Sequence, residues 1–349
     1  MSFAPDYRYM LDVLANRRPA RLPLYEHIIC AEIMETILGT RFAHLADGGP
    51  ADQREFFRNH CRFFKDMTYD TVSYEVCMTD ILPGHGAILG GMPGPIQTRK
   101  DFEAYPWEQL PDLYWAVAEK RFEALAAEMP AGMKAIGGVG NGVLELSEDL
   151  VGYELLPFMQ ADDPDLFTDL YNKIGDLMVT LWTRFLARYS DTYAICRFGD
   201  DLGFRSSCLV SPTTIREHII PQYRRVIGAI KAAGKPFLWH SCGCIFEIMD
   251  DVIALGINAK HSNEDAVAPY ERWIETYGQQ IGLVGGIDLD IICQKKPAEV
   301  YDIVLERGRR FRNMAKGYAL GTGNSVPDYV PVEGYLAMVH AAQAIRASE

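Results

Sequence analysis

The stretch Gly234-Lys235-Pro236-Phe237-Leu238-Trp239-His240-Ser241-Cys242-Gly243-Cys244 holds the organisation of the whole chain in miniature. A glycine closes a helical pattern, a short apolar run follows, and polar residues stand at the end of the run. The same order recurs along the sequence, in runs at Leu22 to Glu26, Thr71 to Glu75, Ala135 to Val139, Tyr193 to Phe198, Pro236 to His240, Ile257 to His261, Ile281 to Ile287 and Tyr318 to Gly321. Helical patterns lie between them. From Asp165 to Arg188, Leu166, Leu170, Ile174, Leu177, Leu181 and Phe185 recur at steps of three and four and form one apolar stripe. Ser211-Pro212 reads as an N-cap with proline in the first turn, and Pro221 is expected to break or kink that helix midway. Further helices are expected from Lys296 through Arg307 and from Val332 to Ile345.

Strand-like runs alternating with helices call for a parallel sheet, and eight such units closing on themselves make a (β/α)8 barrel, a TIM barrel. An open doubly wound sheet is the alternative. Residues 1–20 are expected as a helical extension before the barrel. Asp80 to Pro130 are expected as an insertion after the second strand, with a small hairpin at Pro83-Gly84 and Pro93-Gly94-Pro95. No linker or repeat divides the 349 residues, so residues 1–349 read as a single domain.

Composition narrows the function. Hydrophobic residues at 48% and charged residues at 23% are those of a globular protein, which excludes disorder. The 34 Lys+Arg against 47 Asp+Glu give a net charge of −13, so neither nucleic acid nor an anionic membrane is an expected partner. No run approaches the ~20 apolar residues of a membrane span. The opening Met1 to Pro23 lacks a signal-peptide core and the eight cysteines are scattered, so a cytoplasmic protein with reduced thiols is expected. The basic stretch Arg307 to Lys316 reads as the solvated face of an outer helix.

In a barrel the chemistry sits at the carboxyl ends of the strands. The residues there are Glu26 and His27, Glu75, Asn141, Asp200 and Asp201, His240 and Cys242, His261, Asp288, and Thr322 with Asn324. Any one of them serves equally well as a helix cap; together they define one candidate site. Alternation along an extended strand points His240 and Cys242 the same way, and imidazole plus thiolate suits zinc. A buried histidine beside inert thiols is the competing reading. Gly138-Val139-Gly140-Asn141-Gly142 does not make a dinucleotide fingerprint. Gly285-Gly286-Ile287-Asp288 and Gly321-Thr322-Gly323-Asn324-Ser325 leave open a phosphorylated substrate held by backbone N–H groups.

These strand ends resemble the uroporphyrinogen decarboxylase superfamily, and within it the corrinoid (cobalamin)-dependent methyltransferases. The resemblance is carried by Phe198-Gly199-Asp200-Asp201-Leu202-Gly203, Ser211-Pro212 leading to Pro221-Gln222-Tyr223, Pro236 to Gly243, Gly285 to Asp288 and Gly321 to Asn324. The arginine motif with which the decarboxylases hold substrate carboxylates is replaced by Pro23-Leu24-Tyr25-Glu26-His27-Ile28. The methyltransferase branch carries H-x-C after the fifth strand, matched by His240 and Cys242. Thr322 stands where thiol-methylating members place a further cysteine, so the third metal ligand is expected from Cys244, His261, Asp200 or Cys208, and Thr322→Cys is expected to tighten metal binding.

The resemblance implies a methyltransferase moving a methyl group between a small methylated substrate, of methoxy, methylamine or thiol type, and a corrinoid protein, with zinc as Lewis acid. Glu26, His27, Glu75 and Asp200 are the expected catalytic residues; Asn141, Asp201, His261, Asp288 and Asn324 are expected to bind substrate. A homodimer stays open. The alternatives are a metal-free tetrapyrrole enzyme of decarboxylase type and a non-catalytic docking barrel.

Overall fold

The computed structural model describes residues 3–349 and contains a seven-stranded parallel sheet whose strands follow one another in chain order. They are β1 (Val72–Cys77), β2 (Ala135–Gly140), β3 (Tyr193–Gly199), β4 (Phe237–His240), β5 (Ala259–His261), β6 (Gly282–Ile287) and β7 (Tyr318–Thr322). Parallel neighbours require crossovers, and each pair here is joined by at least one helix. The longest, Pro164–Tyr189, starts where the Asp163 side chain accepts the Leu166 N–H at 2.9 Å with Pro164 in the first turn, and it buries the whole predicted stripe.

Seven of the eight expected runs are strands; the first is not. Around Leu24 the chain makes a single parallel bridge to Leu320. Pro23 has no N–H to give, and the polar groups of Leu22 are taken by side chains at the chain's end: its N–H by Glu349, just past the last helix, and its carbonyl by Arg346 of that helix. On the β1 side the Glu26 carbonyl accepts the Ser73 hydroxyl in place of a backbone donor. On the β7 side Gly321 permits the close approach of the run, since a Cβ there would stand 1.8 Å from the Tyr25 carbonyl oxygen. The expected eight-stranded ladder is therefore corrected to seven strands with one bridged run.

Two cores result. The larger lies between sheet and helices; the smaller joins Ile136, Ile195, Leu238, Ala259, Val284 and Ala319 to Met10, Val13 and Leu14 of the N-terminal helix Arg8–Leu14. Side chains two residues apart on a strand share a face. The strands that bury Leu238 and Ala259 in the smaller core therefore hold His240 and His261 on that same face, nearer their carboxyl ends.

Three local expectations need amendment. No hairpin forms between Pro83 and Pro95: the N–H groups of Gly94 and Ile96 bond to the carbonyls of Val151 and Leu150, which end the helix Val143–Val151, at 3.0 and 2.9 Å. The stretch after β1 is loop and short helix only as far as Gln109, because Leu110–Glu128 is itself the crossover helix. Pro221 neither breaks nor ends its helix, since a π turn over Ile215–Ile219 absorbs it before Ile220–Ala232 continues. No helix of the described residues is long and apolar enough to cross a membrane.

Candidate metal centre at the strand ends

His240 ends β4 and Cys242 follows two residues on, and their Nε2 and Sγ atoms lie 3.5 Å apart, as strand alternation requires. Asp201, just beyond β3, places Oδ1 3.6 Å from the same Nε2 and accepts the Cys242 N–H at 2.8 Å. On a tetrahedral zinc with bonds of about 2.0–2.1 Å to nitrogen, 2.3 Å to sulfur and 2.0–2.2 Å to oxygen, the N···S and N···O separations are about 3.6 and 3.4 Å. The donor set fits the ion. Cys242 accepts further hydrogen bonds from Ser262 Oγ at 3.3 Å and Asn324 Nδ2 at 3.4 Å. Burial and the Asp201 carboxylate push its thiol pKa up, so only a cation at the site would hold it as thiolate.

A second group, His27, His240 and His261, also converges, but one distance excludes a shared ion between two of its rings. The Nδ1 atoms of His240 and His261 are 2.7 Å apart, a hydrogen bond, whereas two nitrogens on one zinc stand about 3.3 Å apart. That bond fixes both tautomers. His261 Nε2 lies 3.0 Å from the Thr322 carbonyl, which can only accept, so Nε2 carries the proton. Burial lowers the His261 pKa to about 3 and holds His240 well below its ordinary value, so both rings are neutral. His261 Nδ1 is then bare, His240 Nδ1 donates to it, and the His240 lone pair on Nε2 faces Cys242 and Asp201.

His27 stacks on His240 with ring centroids 3.8 Å apart and planes within 9°. It is buried, its Nδ1 has no hydrogen-bond partner among the described residues, and burial with the Arg197 charge keeps it neutral. Glu26 is near but faces elsewhere: its carboxyl accepts the Thr322 N–H at 3.2 Å, the Thr322 hydroxyl, and Tyr69 OH at 3.3 Å. Burial pushes its pKa up to about 8. Thr322 thus turns its hydroxyl to Glu26, and Asn324 is the residue that extends from the end of β7 to Cys242.

Other predicted residues are held in structural roles. Asp200 accepts the N–H groups of Leu144 and Glu145 at 3.0 and 2.9 Å and the Tyr223 hydroxyl, capping the helix Val143–Val151. Gly142 makes room for it, since a Cβ there would stand 2.1 Å from Asp200 Cβ. Asp200 is therefore no free ligand. Cys208 directs Sγ at the Cys244 carbonyl, and neither Cys208 nor Cys244 belongs to a donor group of the described residues; His261 orients a ligand. The carboxylate that converges with His240 and Cys242 is that of Asp201. Glu75 is paired with Arg197, Nη2 to Oε2 2.7 Å. Asn141 bonds to Thr79 and Glu145, and Asp288 accepts the N–H groups of Asp265 and Asp290. Neither side chain bonds to His240, Cys242 or Asp201. The N–H groups of Gly286, Gly323 and Ser325 donate to Asn263, Ile287 and Asn324, so these three donors of the glycine turns are already bonded within the chain.

Two buried charged residues at the strands of this site carry no mark in the residues singled out from the sequence. Arg197 is fully buried, bonding Tyr25 OH and the His27 carbonyl at 2.8 Å as well as Glu75. Lys260 is buried over the Trp273 ring at 4.0 Å, and burial brings its pKa down to about 8. Each is a charge inside an otherwise apolar run, and that was the signal available.

A parallel sheet whose strand ends gather histidine, cysteine and carboxylate donors defines a class of α/β enzymes with their site at that face. The profile of the uroporphyrinogen decarboxylase (URO-D) family matches residues 91–345, and the chain belongs to that family. No curated protein matches it. Its fold is shared with a methyltransferase from Methanosarcina mazei, at TM-score 0.72 and 14% identity over 97% of this chain and 98% of that one. A GH5-4 broad specificity endoglucanase from an uncultured bacterium gives TM-score 0.47 and 11% identity over 82% and 84%. Xylanase 10B from Thermotoga maritima gives 0.43 and 10% over 99% and 100%.

Proposed function

We propose that this chain is a zinc-dependent methyltransferase that moves a methyl group between a small methylated substrate and a corrinoid protein, its curled sheet and bridged first run acting together as a (β/α)8 barrel. The observation that carries it is the convergence of His240 Nε2, Cys242 Sγ and Asp201 Oδ1 at the spacing of a tetrahedral ion. A zinc ion, when bound, supplies positive charge beside the leaving group of the methyl donor.

The chain's own residues do the rest. His261 and the Thr322 carbonyl keep the His240 lone pair turned to the site. Ser262 and Asn324 orient Cys242. His27, neutral and with an unbonded Nδ1, holds substrate or passes a proton at that ring. Arg197 ties β3 to Glu75 and to the His27 carbonyl, which fixes the ring stack from behind. Asp201 is half-exposed while His240 and Cys242 are buried, so substrate and partner approach from the Asp201 side.

The test is elemental analysis of the purified chain followed by methyl transfer to added cob(I)alamin. About one zinc per chain is expected, lost in Cys242→Ala and Asp201→Ala, together with methyl transfer from a methylated donor. A metal-free protein that decarboxylates uroporphyrinogen would overturn the reading.

A further inference from the structure

The basic stretch Arg307 to Lys316 divides by face along the helix Pro297–Met314. Arg307 pairs with Asp265, Nη1 to Oδ2 2.6 Å, and Arg310, three residues on, pairs with Glu271. Arg309 and Arg312 share a different side of the helix, where they line a cavity of about 540 Å³ together with Arg18 and Asn313. This cavity lies at the opposite end of the sheet from the metal centre. The helix leads into β7 at Tyr318 and Arg18 leads into the run that starts at Leu22, so both reach the cavity at the amino-terminal ends of their strands.

Three guanidiniums around one cavity stand out in a chain of net charge −13. Glu349 brings the one acidic side chain of the lining, and both its oxygens already accept: Oε1 from Arg312 Nε at 2.7 Å and Oε2 from the Leu22 N–H at 3.0 Å. Arg18 and Arg309 form no ion pair among the described residues. Arg312 is 3% exposed; its Nη2 donates to the Pro19 carbonyl at 2.5 Å, while its Nη1 has no hydrogen-bond partner among the described residues. A buried guanidinium donor without an acceptor is a cost that an anion in the cavity would remove. Burial lowers the Arg312 pKa and the Arg18 charge lowers it further, so the same anion would also relieve a repulsion between the two arginines. The carbonyls that end a helix ordinarily repel anions, but here Arg18 Nη1 bonds the Arg312 carbonyl at 2.9 Å and turns that end cationic.

From this we infer that the cavity binds the phosphoryl group of a small organic phosphate ester, at a site separate from the strand-end donors and independent of the methyltransferase reading. A phosphoryl group brings three acceptor oxygens and a charge of about −1.5 to −2 at neutral pH, which matches several guanidinium forks at once. A carboxylate brings two oxygens and one charge, and would leave part of the donor set unmet. The volume exceeds that of a phosphoryl group alone, so the organic part of the ester has room beside Pro19 and Ile345.

The experiment is calorimetric titration of the purified full chain with glycerol 2-phosphate, inorganic phosphate and succinate, at low and matched ionic strength and about pH 8, where the phosphoryl group is a dianion. The ester is expected to bind more tightly than inorganic phosphate and at least about tenfold more tightly than succinate. Arg309→Ala and Arg18→Ala, both on exposed side chains, should each weaken ester binding about tenfold. Arg310→Ala removes the same charge from the paired face of the helix and should leave it unchanged. Absence of ester binding, or succinate binding as tight as the ester, overturns the inference. Inorganic phosphate as tight as the ester gives the cavity to free phosphate and overturns the ester assignment. Ester binding that survives both Arg309→Ala and Arg18→Ala, or that falls equally in Arg310→Ala, places the anion elsewhere or reduces the effect to overall charge, and either result overturns the site.

Discussion

Removing the acceptor that sets the His240 tautomer tests the metal centre without touching a ligand. In His261→Leu the His240 Nδ1–H loses its partner at 2.7 Å, and the Thr322 carbonyl loses its donor at 3.0 Å. The proton of His240 is then free to settle on Nε2, the atom that faces Cys242 and Asp201, and must be displaced before an ion binds. Losing an outer partner of this kind weakens metal binding by roughly 10–100-fold, or about 1.4–2.7 kcal/mol. Zinc competition against a chromophoric chelator at neutral pH measures it. His261→Gln keeps an amide oxygen as acceptor and should recover most of the affinity. A folded His261→Leu protein that binds zinc as tightly as the parent, with Tm checked in parallel, would refute the relay and the tautomer assignment.

Further outcomes follow from the same geometry. Arg197→Met leaves the Glu75 carboxylate buried without its cation and should cost about 3–5 kcal/mol in chemical denaturation; adding Glu75→Leu should restore much of it. Thr322→Cys should leave zinc affinity unchanged, contrary to the expectation from sequence, because the hydroxyl turns to Glu26; loss of that bond should lower stability by about 1 kcal/mol. Glu26, raised by burial to about 8 from 4.5, binds its proton more tightly folded than unfolded. Its contribution is therefore full below pH 4.5, falls as pH rises, and is exhausted above pH 8; Glu26→Gln should flatten the stability profile across that window.

The alternation of apolar runs and helices was readable because each run is buried on both faces and each helix on one, and these are the periods a sequence displays. The first run misled because its composition is that of a strand while its backbone pairs with β7 only around Leu320, and its start at Leu22 is held by side chains far along the chain, Arg346 and Glu349, which no local pattern reveals. Likewise His240 and Cys242 were legible from spacing on one strand. Asp201 as their companion was not, since it depends on which of two adjacent aspartates caps a neighbouring helix. Asp200 takes that task through Gly142, and only then is Asp201 left facing Cys242.

The bridged first run also bears on how the molecule opens. A regular ladder comes apart residue by residue, but here the segment from Leu22 to His27 is fastened by Ser73 of β1 and Arg197 of β3, and at its start by Arg346 and Glu349. Side-chain fasteners release together once the arginines lose their geometry, and the backbone amides between them then face water in one event. Glu26 and His27 ride on that segment. Hydrogen exchange should accordingly show one cooperative opening there, with lower protection than β2 to β6, and it would swing the histidine stack apart without disturbing the strands that carry His240 and His261.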